Sequence, residues 1–338
     1  MRILTDIRDI DVQAWNELAN DSTTATWFAT PHAYSFYKEQ KDIMQPFAVG
    51  VERDTDSVHQ LKGIITGYIS KEKNRIKQFF TRRAIIVGGP MLADDITAEE
   101  VTALLRHTVK YLKHKAIYIE SRNFNSYEKW KNEFKECGFD YVPHLNFHVD
   151  TTSAETAEQN LGKSRKRDIK TSFRDGATIV DHPTREQVRD WYSILENLYK
   201  TKVHTPLFPL SFFESLNRND DGKLLLVCYE NKIIGGTACV MLRGKCLYEW
   251  FVCGQDGQMK TIFPSSVATY AAIRYAAVNN MPRFDMMGAG TPDEEYGVRE
   301  FKRKFGGKEV EHGRFIHLNS KLLYAIGKLG VKLLKSRK

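Results

Sequence analysis

One order of elements runs twice through this sequence, and it constrains the fold more than any single motif. The first pass predicts three strands in a meander (Pro46–Arg53, Leu61–Ser70, Ala84–Leu92) and an amphipathic helix over Thr97–Lys113. A strand over Lys115–Glu120, a helix over Tyr127–Glu136, Gly138 and a strand over Phe139–Val149 follow. The second pass predicts strands over Leu224–Glu230, Ile233–Leu242 and Cys246–Cys253, then a helix over Pro264–Val278. A strand over Arg283–Met287, a helix over Glu295–Lys304, Gly306 and a strand over Val310–Leu318 complete it. Local echoes accompany the order: Gly63-Ile-Ile-Thr-Gly67 against Ile233-Ile-Gly-Gly-Thr237, and Phe134-Lys135 before Gly138 against Phe301-Lys302 before Gly306. A tandem duplication of one α/β unit accounts for this.

The length agrees with two cores, since 338 residues exceed what one hydrophobic core usually serves and about 150 per domain is typical. We expect a first domain over 1–152 and a second over 153–318. Ahead of the first meander lie two helices, Asp11–Ala19 and Pro31–Gln40, the latter capped by Thr30 with Pro31 in its first turn. The second domain opens with a basic helical junction over 153–176. In its second segment, Lys163–Arg174, six cations, Lys163, Arg165, Lys166, Arg167, Lys170 and Arg174, stand with a single acid, Asp168. A strand at Thr178–Val180 and helices at Thr184–Tyr199 and Leu210–Leu216 lead into the second meander.

The last segment, 319–338, reads as an amphipathic helix. Lys321, Lys328, Lys332 and Lys335 share one face, and Leu322, Leu323, Ile326, Leu329, Leu333 and Leu334 the other. Such a helix packs its leucines on a domain, here the first, or docks on an anionic membrane surface.

Charge narrows the partners. Lysine and arginine outnumber the acids 50 to 42, a net charge of +8 that suits phosphorylated substrates, nucleic acid or an acidic membrane. Five cysteines without a CxxC pair read as reduced thiols, hence a cytosolic protein. The N-terminus lacks the apolar core of a signal peptide, and no window is apolar for eighteen residues. His144 and His148 share a strand face with Asn146 but have no third ligand nearby, so no metal is expected. No G-x-S-x-G elbow is present.

A meander followed by strand, helix and strand is how an acyltransferase of the GNAT type is built. Such enzymes hold the coenzyme A pyrophosphate on backbone N–H groups of a glycine-rich turn that opens a helix. The matching turn here, Gly254-Gln-Asp-Gly257-Gln-Met-Lys260, lacks the dense glycine spacing, and Phe263-Pro264 opens the helix instead. In the first half, Gly88-Gly89-Pro90 stands about seven residues before its helix.

These features resemble the Fem family of peptidoglycan-bridge aminoacyltransferases and their FemAB-like relatives. The likeness rests on Gly88-Gly89-Pro90, on the basic run from Lys163 to Gly176, and on Phe284-Asp285 with Gly288, Gly290, Gly297, Phe301-Lys302 and Phe305-Gly306. It implies an α/β fold with mixed sheets: two tandem GNAT-like domains plus the C-terminal helix. It also implies transfer of an amino acid from aminoacyl-tRNA to an amine of a nucleotide- or lipid-linked cell-wall precursor, with no cofactor. Lys302 matches the lysine of the family's Phe-Lys motif, near the reacting carbonyl or phosphate. Asp285 could accept a proton from the incoming ammonium or cap the next turn. Lys38, four residues after Tyr34, matches a phosphate-contacting lysine. Lys163, Arg165, Lys166 and Arg167 could grip a diphosphate, and Gly288, Gly290 and Phe301 would line the substrate. Transfer from an acyl-CoA to a nucleotide- or lipid-linked sugar for polysaccharide synthesis is the alternative. A non-enzymatic protein binding RNA or a membrane surface is the rival of another class. The long helical arm of the larger tRNA-binding Fem enzymes is missing here.

Overall fold

A computed structural model describes residues 1–55, 58–72, 78 and 81–327. The chain forms two compact units, Met1–His144 with Glu311–Lys338 and Leu145–Val310.

The sheet of the first unit contains β1 (Arg2–Leu4), β2 (Met44–Thr55), β3 (Val58–Ser70), β4 (Arg83–Gly88), β5 (Met91–Leu92), β6 (Tyr118–Asn123), β7 (Phe139–Val142) and β15 (Arg314–Leu318). Its order is β1-β2-β3-β4-β6-β15-β7, with β5 also on β3. Helices α1 (Val12–Asp21) and α2 (Pro31–Glu39) precede the meander. Helix α3 (Ala98–Leu112) connects β5 to β6; Thr97 and Glu100 close a reciprocal capping box at its start. Its apolar stripe, Val101, Leu104, Leu105 and Leu112, packs with Val49, Ile65, Ile86 and Ile119 of the sheet. Helix α4 (Lys131–Glu136) adds Phe134, whose ring stacks on Phe315 at 3.8 Å.

The second unit opens with β8 (Leu145–Asp150), α5 (Ala154–Asn160), α6 (Lys163–Arg174) and β9 (Thr178–Val180). After α7 (Arg185–Leu198) and α8 (Leu210–Arg218), the meander β10 (Gly222–Tyr229), β11 (Lys232–Leu242) and β12 (Cys246–Gly254) leads into α9 (Pro264–Val278). Strand β13 (Arg283–Gly288), α10 (Gly297–Arg303) and β14 (Lys308–Glu311) complete it. The strand order is β14-β8-β13-β12-β11-β10-β9. Helix α9 is apolar on most of its circumference because it lies in the core: Val267, Ala268, Ala272, Ile273 and Ala276 are all fully buried.

The repeated order is present, and both sheets are mixed. The expected boundaries at 152/153 and 318/319 differ from the units, and two long strands read from the sequence are each two strands. The strand expected over 139–149 breaks after Val142: Pro143 has no N–H for the ladder, and the chain passes from the first unit into the second at 144/145. The strand expected over 310–318 breaks at Gly313, whose φ of +62° suits glycine, and β15 returns to the first sheet. Each sheet thus has an inner strand supplied from the other half of the sequence: β15 between β6 and β7, β8 between β13 and β14.

The start of the expected C-terminal helix lies against the first unit. Ser320 N–H donates to Ile117 O at 3.0 Å, and the Tyr324 ring meets Tyr118 edge-on at 5.1 Å. Its residues 328–338 fall outside the described residues. Among the described residues no helix is long and apolar enough to cross a membrane.

Candidate functional site

The two sheets differ at one place. In the first unit the parallel strands β4 and β6 stay paired along all six residues, from Arg83 opposite Tyr118 to Gly88 opposite Asn123. In the second, β12 and β13 pair over three, from Cys246 opposite Arg283 to Tyr248 opposite Asp285, and then part. Two local features accompany the parting. On β12 the register with β11 jumps from Phe251 to Glu249, leaving Trp250 as the extra residue of a bulge. On β13, Met287 has φ +56°, a left-handed conformation that costs a non-glycine residue energy and marks functional or strained sites.

Lys302, from α10, fills this place and is 7% exposed. Its Nζ donates to three successive carbonyls, Met286 O, Met287 O (3.1 Å) and Gly288 O (2.9 Å). The left-handed turn at Met287 lets one ammonium meet all three. The equivalent lysine of the first half, Lys135, is exposed.

The charge of Lys302 reaches Glu249 of β12, which is 3% exposed. Its Oε1 accepts from Thr269 Oγ1 at 2.8 Å and Thr237 Oγ1 at 3.3 Å; its Oε2 is buried without a hydrogen-bond partner among the described residues. Burial pushes the Glu249 carboxyl up to about 7, a shift that the charge of Lys302 and the two hydroxyls oppose. Burial brings the Lys302 ammonium down to about 8, opposed by Glu249 and Asp285. A carboxyl and an amine are thereby brought close to neutral pH.

Asp285 is completely buried, and its Oδ1 accepts from the Met287 N–H at 2.7 Å, the turn-capping role expected, and from Asn146 Nδ2 at 2.8 Å. His148 Nε2 lies 3.1 Å from Oδ2. Burial alone would raise this carboxyl; the hydrogen bond and charge of His148, the charge of Arg283 and the Asn146 amide hold it below its usual range. His148 and Asn146 do share a strand face, and what they face is Asp285. His144 instead meets Arg314 in the first unit, at 2.8 Å.

Lys302, Asp285, Gly288, Gly290, Phe301 and Arg165 come together in the second unit. Gly290 has φ +82°, accepts the Leu145 N–H at 2.9 Å and sits under the Tyr296 ring. Arg165 is turned inward: its guanidinium lies 4.7 Å from the rings of both Phe301 and Phe305 and donates to Ser266 Oγ. That makes it a buried tie between α6, α9 and α10, where a surface phosphate ligand was expected. Lys163, Lys166 and Arg167 do lie exposed on α6, and Lys38 is exposed in the last turn of α2 in the first unit.

Two contributors escaped the sequence reading. Glu249 sits in an apolar strand and carries no motif; an acid inside Leu-Tyr-Glu-Trp-Phe-Val was the available signal. Arg299 holds the loop before α10 through Ala289 O (3.1 Å), Thr291 O and Pro292 O (3.3 Å).

The helix end that would hold a coenzyme A pyrophosphate is already occupied. Pro264 supplies no N–H, and the Asp256 carboxylate accepts from Ser265 N–H (3.3 Å) and Ser265 Oγ at the start of α9. Gly88 and Gly89 face side chains, their α-carbons packed against Thr26 and the Tyr127 ring.

Residues 229–332, which carry Glu249, Asp285 and Lys302, match the FemAB family. No curated protein is similar to the chain by sequence. Among solved structures, the crystal structure of FemX is similar at a TM-score of 0.72 with 13% identity, covering 96% of this chain and 99% of that one. L-PGS from Bacillus licheniformis gives 0.56 with 12% identity, covering 94% and 96%. A tandem GNAT protein from the clavulanic acid biosynthesis pathway gives 0.56 with 9% identity, covering 94% and 98%. At such identities these likenesses speak for the fold, which is that of two tandem GNAT-like domains.

Proposed function

We propose that this chain, a FemAB-like acyltransferase of doubled GNAT fold, moves an aminoacyl group from aminoacyl-tRNA to an amine of a phosphorylated cell-wall precursor. The observation that carries the reading is the buried Glu249–Lys302 pair where β12 and β13 part. The first unit has an unbroken strand pair and an exposed lysine at the matching places.

The reaction needs a neutral amine, an aligned ester and charge for the oxyanion. In the proposed sequence Glu249 Oε2 takes a proton from the acceptor ammonium. The freed amine nitrogen attacks the ester carbonyl, and Lys302 supplies positive charge as the oxyanion forms. As the tetrahedral species collapses, the nitrogen gives up its second proton to water, the amide forms, the bond to the ribose oxygen breaks, and the proton held by Glu249 returns to that oxygen. Lys302 directs its three N–H bonds at carbonyls, so its part is field and positioning: it holds the Met286–Gly288 turn that borders the site. Exposed Lys163, Lys166 and Arg167 offer charge to the substrates' phosphates.

The donor assignment is supported by Asp256, whose carboxylate stands where an acyl-CoA would need its pyrophosphate. Exposed Leu322 and Ile326, four residues apart beside Lys321, suit an acceptor carried at an anionic membrane surface. The test is isotope transfer to a muropeptide amine from labelled aminoacyl-tRNA or, separately, from labelled acetyl-CoA. Label arriving from the tRNA is the expected result; label arriving from acetyl-CoA alone would overturn the reading.

A further inference from the structure

After Glu311 the sequence holds no acid, and its last twenty residues carry six cations, Lys321, Lys328, Lys332, Lys335, Arg337 and Lys338. The described start of this segment is fixed on the first unit. Asn319 Nδ2 donates to Leu112 O at 3.2 Å and to Ala116 O at 3.0 Å, so it spans the turn between α3 and β6. Residues 321–327 are helical, and Ser320 Oγ accepts the Leu323 N–H at 3.3 Å where they begin.

The two sides of this short helix are unlike. Leu323 and Tyr324 are half-buried, with the Tyr324 ring edge-on to Tyr118 of β6. Leu322 and Ile326, one turn apart, stand in solvent at 72% and 45% exposure, and Leu322 is the most exposed large hydrophobic side chain among the described residues. Cations flank them: Lys321 beside Leu322, and Lys113, His114 and Lys115 in the turn that Asn319 spans, all exposed. Lys115 lies over the Tyr111 ring, which fixes where its charge stands.

An exposed apolar pair beside cations, followed by a segment without acids, matches few surfaces. A nucleic acid would engage the cations and leave Leu322 and Ile326 in water. An apolar groove of another protein would cover those two and strip the cations of water without pairing them. An anionic bilayer takes both, the apolar side chains at the acyl boundary and the ammonium groups among acidic headgroups. The remaining sequence repeats the chemistry, with Leu329 and Leu333 continuing the apolar spacing.

We propose that this face of the first unit docks on an anionic membrane, Leu322 and Ile326 entering the interface while Lys113, Lys115 and Lys321 meet the headgroups. The turn before β6 and the C-terminal helix then act as one surface. This deepens the reading of an acceptor carried at a membrane and rests on that reading for its purpose alone.

The test is co-sedimentation of the full chain, at low salt, with vesicles of phosphatidylcholine alone or with about a third phosphatidylglycerol. The chain should sediment with the anionic vesicles and stay in solution with the neutral ones. Leu322→Ser with Ile326→Ser keeps every charge, and its partition should fall at least about tenfold. Lys113→Gln with Lys115→Gln leaves the C-terminal segment untouched, and its partition should also fall about tenfold, as only a surface shared by turn and helix requires. All four side chains are exposed, so thermal unfolding of both variants should match the parent and shows that the fold is kept. Absence of binding to anionic vesicles, or equal binding to neutral ones, overturns the proposal. So does an unchanged partition in the serine variant, which marks a plain polycation of the kind RNA would bind, or in the glutamine variant, which leaves the C-terminal segment acting alone. No aminoacyl donor or acceptor amine is present, so this assay and the transfer assay fail independently.

Discussion

Replacing Lys302 by methionine keeps the length of the side chain and removes only its ammonium. Three carbonyl oxygens, those of Met286, Met287 and Gly288, lose their shared donor, and Glu249 loses the positive charge that draws its pKa down. A hydrogen bond to a charged group contributes about 1.5–3 kcal/mol, and the three bonds of Lys302 share one ammonium. These overlap, so the loss should be about 2–3 kcal/mol near pH 6, where Glu249 is protonated in the fold, and about 2 kcal/mol larger near pH 8.5. The sign follows from Glu249. Its pKa is raised by folding to about 7, so the fold favours its protonated form and loses that advantage as pH climbs through about 7. In the variant no ammonium draws this pKa back down, and the loss continues to higher pH at about 1.4 kcal/mol per unit. Lys302 acts in the same direction. With its folded pKa lowered to about 8, the wild type gains stability above that pH and the variant does not. Urea unfolding followed by circular dichroism near pH 6 and pH 8.5 measures both values. A loss below about 1 kcal/mol, or one identical at the two pH values, would refute a buried, carbonyl-bound ammonium facing a carboxyl.

Further outcomes follow from the same site. Glu249→Gln should lower the transfer rate by about 10²–10⁴ and abolish the rise of rate with pH through about 7, because the base acts only when deprotonated; an unchanged pH profile removes Glu249 from the chemistry. Gly306→Ala forces a side chain onto φ +76° and against the Asn160 carbonyl oxygen; a loss of about 2–4 kcal/mol is expected, and an unshifted melting temperature would contradict the packing. Arg299→Met frees the carbonyls of Ala289, Thr291 and Pro292; limited proteolysis should gain cuts between residues 289 and 296, and an unaltered digest would show that the loop is held otherwise.

What the sequence disclosed was what depends on local rules. Thr97-x-x-Glu100 closes its capping box, Thr30 caps the helix that Pro31 opens, and Pro264–Val278 is helical over the expected span. Lys302 and Asp285 were legible through a motif, while their partners were not. Whether Lys302 or Lys135 is buried depends on where β12 and β13 part, and a strand pair separates for reasons distributed over both strands and a bulge at Trp250. Arg165 looked like one of a run of surface cations because the run is helical and basic nearly throughout. Only the position of Phe301 and Phe305 from a distant helix turns that one residue inward. The strand breaks had signals in Pro143 and Gly313, but periodicity runs smoothly across both, and the partner strands lie more than a hundred residues away.

The inner strand that each sheet takes from the other half of the chain has a consequence for how such a protein can be divided. Cutting between residues 152 and 153 would leave the N-terminal fragment without β15, so that β6 and β7 would face a gap; the C-terminal fragment would miss β8 between β13 and β14. Neither fragment holds the strands of a closed sheet, so separate expression yields unpaired edges, and mixing the two is the route to recovery. The same geometry bears on ancestry: a one-repeat precursor could complete its sheet only by trading this strand with a second copy of itself, as a swapped dimer. Gene fusion would then have converted an exchange between two molecules into one within a single chain, after which one half was free to lose its charge pair and the other to keep it.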